Sequence, residues 1–303
     1  MRIVVTGGCG FIGSSFVNYL RKNIECEIVV IDKITYAANP FLIPNDVELI
    51  KKDICDITLD DIGYADYIVN FAAESHVDNS ISNGLPFVRT NVEGTFNMLE
   101  VARAIPNLKK FVQISTDEVY GDMDSRDLIS ANEHTSLKPS SYYSSTKASA
   151  DHLVESVGRT YGLPYLITRT CNNFGENQHS EKFLPTIARS ISNNKSIPLY
   201  GDGKHIREWI WVEDNVKLVY DLMISQIGIW NIGSGDSWTN KSIIDTIGEI
   251  LNKEVNYTYV EDRLGHDKRY TIDISNLEYY KQTSKLTTKT LQKFLTEKFG
   301  SSK

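Results

Sequence analysis

Cysteine is scarce in this 303-residue chain: Cys9, Cys26, Cys55 and Cys171 form no CxxC pair and no zinc spacing. That usage excludes a disulfide framework or a zinc ribbon, and reduced thiols in a cytoplasmic protein are expected. Long apolar runs are also missing, and none approaches the roughly 20 residues of a membrane span. Met1 leads directly into the strand-like "RIVVTG", so no signal peptide is expected. Basic charge is in deficit, with 32 Lys and Arg against 39 Asp and Glu and a net charge of -7. This balance argues against a nucleic-acid or anionic-membrane partner, and a phosphate ligand would need a local basic pocket. His76, His134, His152, His179 and His205 have no metal-ligand spacing, so no metal is assigned. There are no repeats and no low-complexity segments.

What is present suits a soluble globular fold, with 41% apolar and 23% charged residues. The length allows two domains or one large α/β unit. Strands are expected at 2–7, 27–32, 47–53, 67–73, 111–116 and 165–170, from short apolar runs rich in Val and Ile. Helices are expected at 13–23, at 91–105 through Phe96, Leu99, Val101 and Ala102, and at 144–162, ending at Gly162. Strand, helix, strand at this spacing means α/β: a doubly wound parallel sheet of Rossmann type with right-handed crossovers. Beyond about residue 171 the pattern loosens into loops, a helix near 183–193 and the turn-rich 199–214. The expected division is a dinucleotide-binding domain at 1–170 and a smaller α/β substrate domain at 171–303, with part of 200–233 returning to the first. The tail from Lys289 places Leu291, Phe294, Leu295 and Phe299 at helical spacing, as a packed terminal helix would.

Chemistry enters with "VTGGCGFIGS", where Gly7, Gly10 and Gly13 join the first strand to the first helix. Glycine there permits a tight turn, close approach of a pyrophosphate and packing of helix on strand. Asp32 ends the second strand, 19 residues beyond Gly13, where a carboxylate bonds ribose hydroxyls and repels a 2′-phosphate. NAD is therefore expected over NADP, although Lys33 stands beside it. A third feature is "FVQISTDEVYG", in which Asp117 and Glu118 follow a buried strand with no break. By spacing alone these are paired carboxyls, and a solvated strand end would read the same way. Tyr143 and Lys147, four apart on one helix face, are the remaining candidates for acid–base work.

"GGCGFIG" followed by "YYSSTK" resembles the extended short-chain dehydrogenase/reductases. "STDEVYG", "AAESHVDNSI", "TNVEGT", "NNFGENQHSEKFLP", "GDGKHIREWIWVED" and "DRLGHDKRYTID" sharpen this to nucleotide-sugar 4,6-dehydratases of the dTDP-glucose 4,6-dehydratase type, from residue 2 to about 274. The resemblance implies that Tyr143, with a phenol lowered by Lys147, takes the C4 hydroxyl proton while Thr116 bonds to that hydroxyl. Glu118 then removes the C5 proton and Asp117 protonates the leaving C6 hydroxyl, giving a 4-keto-6-deoxy sugar. It implies cofactor contacts at Gly7, Gly10, Phe11, Ile12, Gly13, Asp32, Lys33, Thr35, Asp53, Ile54, Ala72, Ala73, Thr90, Tyr143 and Lys147. Substrate contacts are implied at Ser75, His76, Asn173, Glu181, Lys182, Arg207, Asn240, Arg263 and His266. A homodimer through the helices at 91–105 and 144–158 is implied as well.

Tyr142 stands where the family usually has proline, "GENQHSEK" departs from the usual loop, and the segment from Gly121 to Tyr142 is short. These departures surround the substrate pocket. dTDP-glucose is favoured, and UDP-glucose and UDP-N-acetylglucosamine stay open. A nucleotide-sugar 4-epimerase, or a non-catalytic NAD-binding regulatory module, are the competing readings.

Overall fold

The computed structural model describes residues 1–126, 130–280 and 288–299. Seven parallel strands form the main sheet. They are β1 (Arg2–Thr6), β2 (Glu27–Asp32), β3 (Glu48–Lys51), β4 (Tyr67–Asn70), β5 (Lys110–Thr116), β6 (Tyr165–Thr170) and, after the shorter strands given below, β10 (Gly228–Ile232). Their order is β10-β6-β5-β4-β1-β2-β3, with the chain reversing direction of travel at β1 and β4. In such a sheet the crevice at the strands' carboxyl ends, where the order reverses, takes ligands.

Alternation along each strand decides the two layers, because successive side chains point to opposite faces. Ile3, Val5, Val30, Val112 and Leu166 face one way and pack on α1 (Phe11–Asn23), through Phe16, Val17 and Leu20, and on Val216, Val219 and Leu222 of a later helix. Val4, Val29, Ile68, Phe111 and Ile167 face the other way, against α2 (Thr95–Ala104) and α3 (Tyr142–Tyr161). Helix α2 buries Met98, Leu99, Val101 and Ala102. Phe96, expected on that apolar face, is instead 51% exposed, because at 3.6 residues per turn it lies across the helix from the buried Met98. Helix α3 starts two residues earlier than expected. Ser141 and Ser144 form a reciprocal cap, and the helix stops where Gly162 takes the left-handed conformation, φ 73°.

A smaller set of elements covers the carboxyl end of the sheet. It comprises β7 (Asn172–Phe174), α4 (Phe183–Ser192), β8 (Ile197–Tyr200), β9 (Ile206–Trp211), β11 (Ser237–Thr239), α6 (Asn240–Leu251), β12 (Tyr257–Val260) and α7 (Thr288–Phe299), and is interrupted in sequence by α5 (Val212–Ser225), which belongs to the main sheet's layers. Helix α5 is the one that packs with α1, and β10 follows it back into the main sheet beside β6. The stretch 199–214, turn-rich in sequence, contains the buried strand β9, whose neighbours are β7 and β11. Leu291, Phe294 and Leu295 of α7 are buried against α4 and α6 residues; the Phe299 side chain lies outside the described residues. No described helix is long and apolar enough to cross a membrane.

Candidate active site

The glycine turn is held by sterics. Gly7 has φ 66°, and a Cβ there would lie 2.6 Å from the Ala72 nitrogen. One at Gly13 would lie 2.2 Å from the Gly7 carbonyl oxygen, so α1 could not approach β1 with any larger residue. Gly10 caps α1 with no side-chain acceptor, which leaves first-turn N–H groups for an anion. Asp32 is 8% exposed, and its carboxylate accepts from Cys9 N–H at 2.9 Å and Ile34 N–H at 2.7 Å. It therefore caps the turn as well as facing the crevice. Lys33 Nζ donates to Thr90 Oγ1 at 3.0 Å and sits 3.7 Å from carboxylate oxygens of both Asp53 and Glu74. These groups, and every other position expected to hold cofactor, line one cavity of about 390 Å³.

The same cavity continues to the end of β5, where Thr116, Glu118, Tyr143 and Lys147 line it. The chain leaves β5 in a 3-10 turn, Asp117–Tyr120, capped by Thr116, whose Oγ1 accepts from Glu118 N–H at 3.3 Å. One turn of 3-10 helix sends adjacent carboxyls in different directions. Asp117 is 3% exposed and does not line the cavity; Glu118 is half-buried and does. Burial, then the charges of Glu118 and Glu208, push the Asp117 carboxyl well above the ordinary carboxylate range. Burial also raises Glu118, but the cations Arg207, Arg263 and Lys182 oppose that rise. Two neighbouring carboxyls thus have unequal proton affinities.

Tyr143 and Lys147 meet at this end but not as expected. Lys147 Nζ donates to the Ile114 carbonyl at the end of β5, and burial lowers it to about 8, against the charge of Asp151 one turn further along α3. Burial and the Glu118 charge push the Tyr143 phenol up rather than down, and a hydrogen bond with Thr116 only partly offsets this. Burial leads this rise, and the charges of Glu118, Asp117 and Asp151 add to it, against the direction expected from Lys147.

Of the expected substrate positions, Ser75, Asn173 and Lys182 line the cavity, and Lys182 Nζ donates to the Ser75 carbonyl at 3.3 Å. His76, Glu181, Arg207, Asn240, Arg263 and His266 do not line it. His76 Nε2 faces Glu181 at 4.0 Å, and His179 Nδ1 is 3.3 Å from the same carboxylate. Arg207 is 7% exposed, lies over the Tyr270 ring at 4.2 Å, and donates to the carbonyls of Ile206, Asp267 and Lys268. Arg263 Nη1 donates to Asp78 at 2.9 Å. Asn240 opens α6, its N–H donating to the His205 carbonyl at 2.9 Å, and His266 stacks on His205.

A dinucleotide turn, a Tyr-Lys helix and two adjacent carboxyls at the end of one strand are a defined combination. The sequence profile of the NAD dependent epimerase/dehydratase family matches residues 3–233. The chain belongs to that family. Among proteins of known name, it is 45% identical over 284 residues to the low-salt glycan biosynthesis protein Agl12 of Haloferax volcanii, covering 90% of each chain. It is 39% identical over 308 residues to the dTDP-glucose 4,6-dehydratase of Haemophilus influenzae, covering 91% of each. Among solved structures, DesIV from Streptomyces venezuelae, a dTDP-glucose 4,6-dehydratase with NAD and TYD bound, is 35% identical with a TM-score of 0.89, over 97% of this chain and 96% of that one.

Within this epimerase/dehydratase chain, sequence reasoning passed over several residues of the site. Glu208 lies close enough to raise Asp117, and Asn91 both accepts from Glu74 N–H at 2.9 Å and donates to Thr146 Oγ1 at 3.0 Å, tying the cavity wall to α3. Gln178, His179, Phe183 and Trp209 also line the cavity, with Phe183 stacked on Trp209. All six, Glu208, Asn91, Gln178, His179, Phe183 and Trp209, stood inside quoted motifs, and that was their only signal.

Proposed function

We propose that this chain is an NAD-dependent nucleotide-sugar 4,6-dehydratase, a hydro-lyase acting on a nucleoside-diphosphate glucose, with dTDP-glucose favoured. The observation that carries the reading is the unequal carboxyl pair Asp117 and Glu118 beside Tyr143. The glycine turn with its free first-turn N–H groups and the Asp32 carboxylate fit NAD, which when bound supplies the hydride acceptor and donor.

Tyr143 takes the proton of the C4 hydroxyl as C4 is oxidised, and Thr116 orients that hydroxyl. The C4 ketone acidifies the C5 proton, which Glu118 removes as the half-buried carboxylate facing three cations. Asp117 holds its proton because it is buried between two other acids, and gives it to the departing C6 hydroxyl. Water leaves, C6 takes the hydride that bound NAD would supply, and Glu118 returns its proton to C5, so the cofactor would not be consumed. A 4-epimerase would employ Tyr143 and Lys147 but leave this acid pair without a task.

The same assignment divides the chain into a dinucleotide-binding part at 1–170 and a mainly substrate-binding remainder. Lys182, on the cavity wall, supplies positive charge for a diphosphate, and Arg207 and Arg263 add to the positive potential felt at Glu118. Leu85, Val88, Phe96 and Tyr142, all exposed apolar side chains on or beside α2 and α3, support a cytoplasmic homodimer joined through those helices.

The direct test incubates protein and NAD with dTDP-glucose, UDP-glucose and UDP-N-acetylglucosamine and weighs the products. Loss of one water from dTDP-glucose is expected; unchanged mass with altered C4 stereochemistry would support the epimerase, and no turnover with NAD bound would support the regulatory module. The pH profile is a second expected result. Glu118 must be ionised, so kcat/KM falls as pH drops through its raised pKa. Asp117 must stay protonated, so kcat/KM falls again as pH rises through its own. A profile without the acid limb, or one whose acid limb persists unchanged in Glu118→Gln, contradicts the assignment of Glu118 as base.

A further inference from the structure

We propose that Asp53, Glu74 and Thr90 set the choice between NAD and NADP by engaging the Lys33 ammonium, so that it does not serve a 2′-phosphate. At the end of the second strand of this fold, a carboxylate bonds the adenosine ribose hydroxyls, whereas a basic residue nearby accommodates the extra phosphate of NADP. Asp32 and Lys33 put the two signals side by side. Their neighbours in space decide which of them is available.

Asp32 is held in place with acceptor capacity to spare. Oδ2 accepts from Cys9 N–H at 2.9 Å and Oδ1 from Ile34 N–H at 2.7 Å, one bond to each oxygen. An ionised carboxylate has about four acceptor positions and no donor, so it can take ribose hydroxyls and has nothing to offer a phosphate. Lys33, by contrast, already faces three partners. Its Nζ donates to Thr90 Oγ1 at 3.0 Å and lies 3.7 Å from Asp53 Oδ2 and 3.7 Å from Glu74 Oε1. An ammonium has three donors, and three partners surround this one.

A different segment fixes each partner. Asp53 follows β3, and its Oδ1 accepts from Cys55 N–H at 3.0 Å. Glu74 follows β4, with its N–H and its carbonyl both bonded to the Asn91 side chain, at 2.9 and 3.1 Å. Thr90 is buried in the π-helical turn Val88–Gly94 that leads into α2. The Lys33, Asp53 and Glu74 side chains are 31, 21 and 19% exposed, so water screens the cluster only in part. All three line the cavity together with Asp32 and Thr90. The other cations lining it among the described residues, Lys147 and Lys182, bond the Ile114 and Ser75 carbonyls, and Arg89, whose charge Asp53 feels, does not line it. A 2′-phosphate at this end meets three carboxylates and a lysine that two of them already share.

Because the assignment rests on the dinucleotide reading of this cavity, the experiment measures NAD and NADP binding to the full-length protein by isothermal titration calorimetry, with no sugar present and no turnover. The parent should prefer NAD. Glu74→Gln should raise NADP affinity relative to NAD by about fivefold, the size of one partly exposed charge interaction. Asp53→Asn frees Lys33 from the other side and decides the matter if Glu74→Gln fails to fold. Adding Lys33→Met should cancel the gain, whereas Lys33→Met alone should leave NADP binding nearly unmoved. A packing role for Lys33 produces no such coupling. Three results overturn the proposal while NAD still binds: a ratio unmoved in both carboxyl variants, a gain that survives Lys33→Met, or a comparable loss of NADP binding in Lys33→Met alone. A parent that binds neither dinucleotide overturns the cofactor reading, and this assignment with it.

Discussion

Glu118→Gln should lower dehydration by about 10²–10⁴-fold, the range for removing a general base, with nucleotide-sugar affinity little changed. The amide matches the carboxylate in size but cannot take the C5 proton, and it removes the negative charge that now raises both Asp117 and Tyr143. The companion variant separates the two roles. Asp117→Asn should also stop loss of water, yet leave Glu118 able to exchange the C5 hydrogen with solvent deuterium. Mass spectrometry of recovered substrate in D₂O reads both steps at once. Deuterium uptake that survives in Glu118→Gln and vanishes in Asp117→Asn would reverse the roles assigned here.

Asp151→Asn should destabilise the protein by about 3–5 kcal/mol, the loss typical of breaking one buried ion pair. Asp151 is fully buried and Arg169 is 2% exposed; Arg169 Nε donates to Asp151 Oδ2 at 3.0 Å. Removing the carboxylate charge leaves a guanidinium without its counter-charge in the interior. The consequences extend along a hydrogen-bonded chain: Arg169 Nη1 donates to the Tyr120 hydroxyl at 3.1 Å, and Tyr120 donates to Asn231 Oδ1 at 2.7 Å. Asn231 in turn donates to the carbonyls of Ala131 and Asp273. This chain links helix α3, the turn that carries Asp117 and Glu118, and β10. Denaturant unfolding checks the prediction, and a midpoint unchanged from the parent contradicts it. A double variant that also replaces Arg169 with Met should recover part of the loss, because the unpaired charge is gone.

Three parts of the site were legible because each is contiguous in sequence and depends on local geometry. The glycine turn needs its spacing to bring α1 against β1, Tyr143 and Lys147 need one helical turn, and Asp117 and Glu118 follow the strand that places them. Phe96 was misread because it was grouped with Leu99, Val101 and Ala102, whereas the helix buries Met98, which lies across it from Phe96. The hydrogen bond of Lys147 to the Ile114 carbonyl was not legible, because the two lie 33 positions apart.

The amino-acid sequence by itself determined the doubly wound sheet and the dinucleotide turn, and marked Asp117, Glu118, Tyr143 and Lys147 as acid–base candidates, since alternation, helical period and motif spacing are short-range signals. Only the tertiary structure supplies a physical reason for the two carboxyls to differ in proton affinity. That depends on burial of Asp117, on Glu208 behind it, and on Arg207, Arg263 and Lys182 opposite Glu118, and distant segments supply every one of these. It also decided that Lys33, beside Asp32 in sequence, faces Thr90, Asp53 and Glu74 in space. Electrostatics acts through distance, and distance between remote residues is set by the fold.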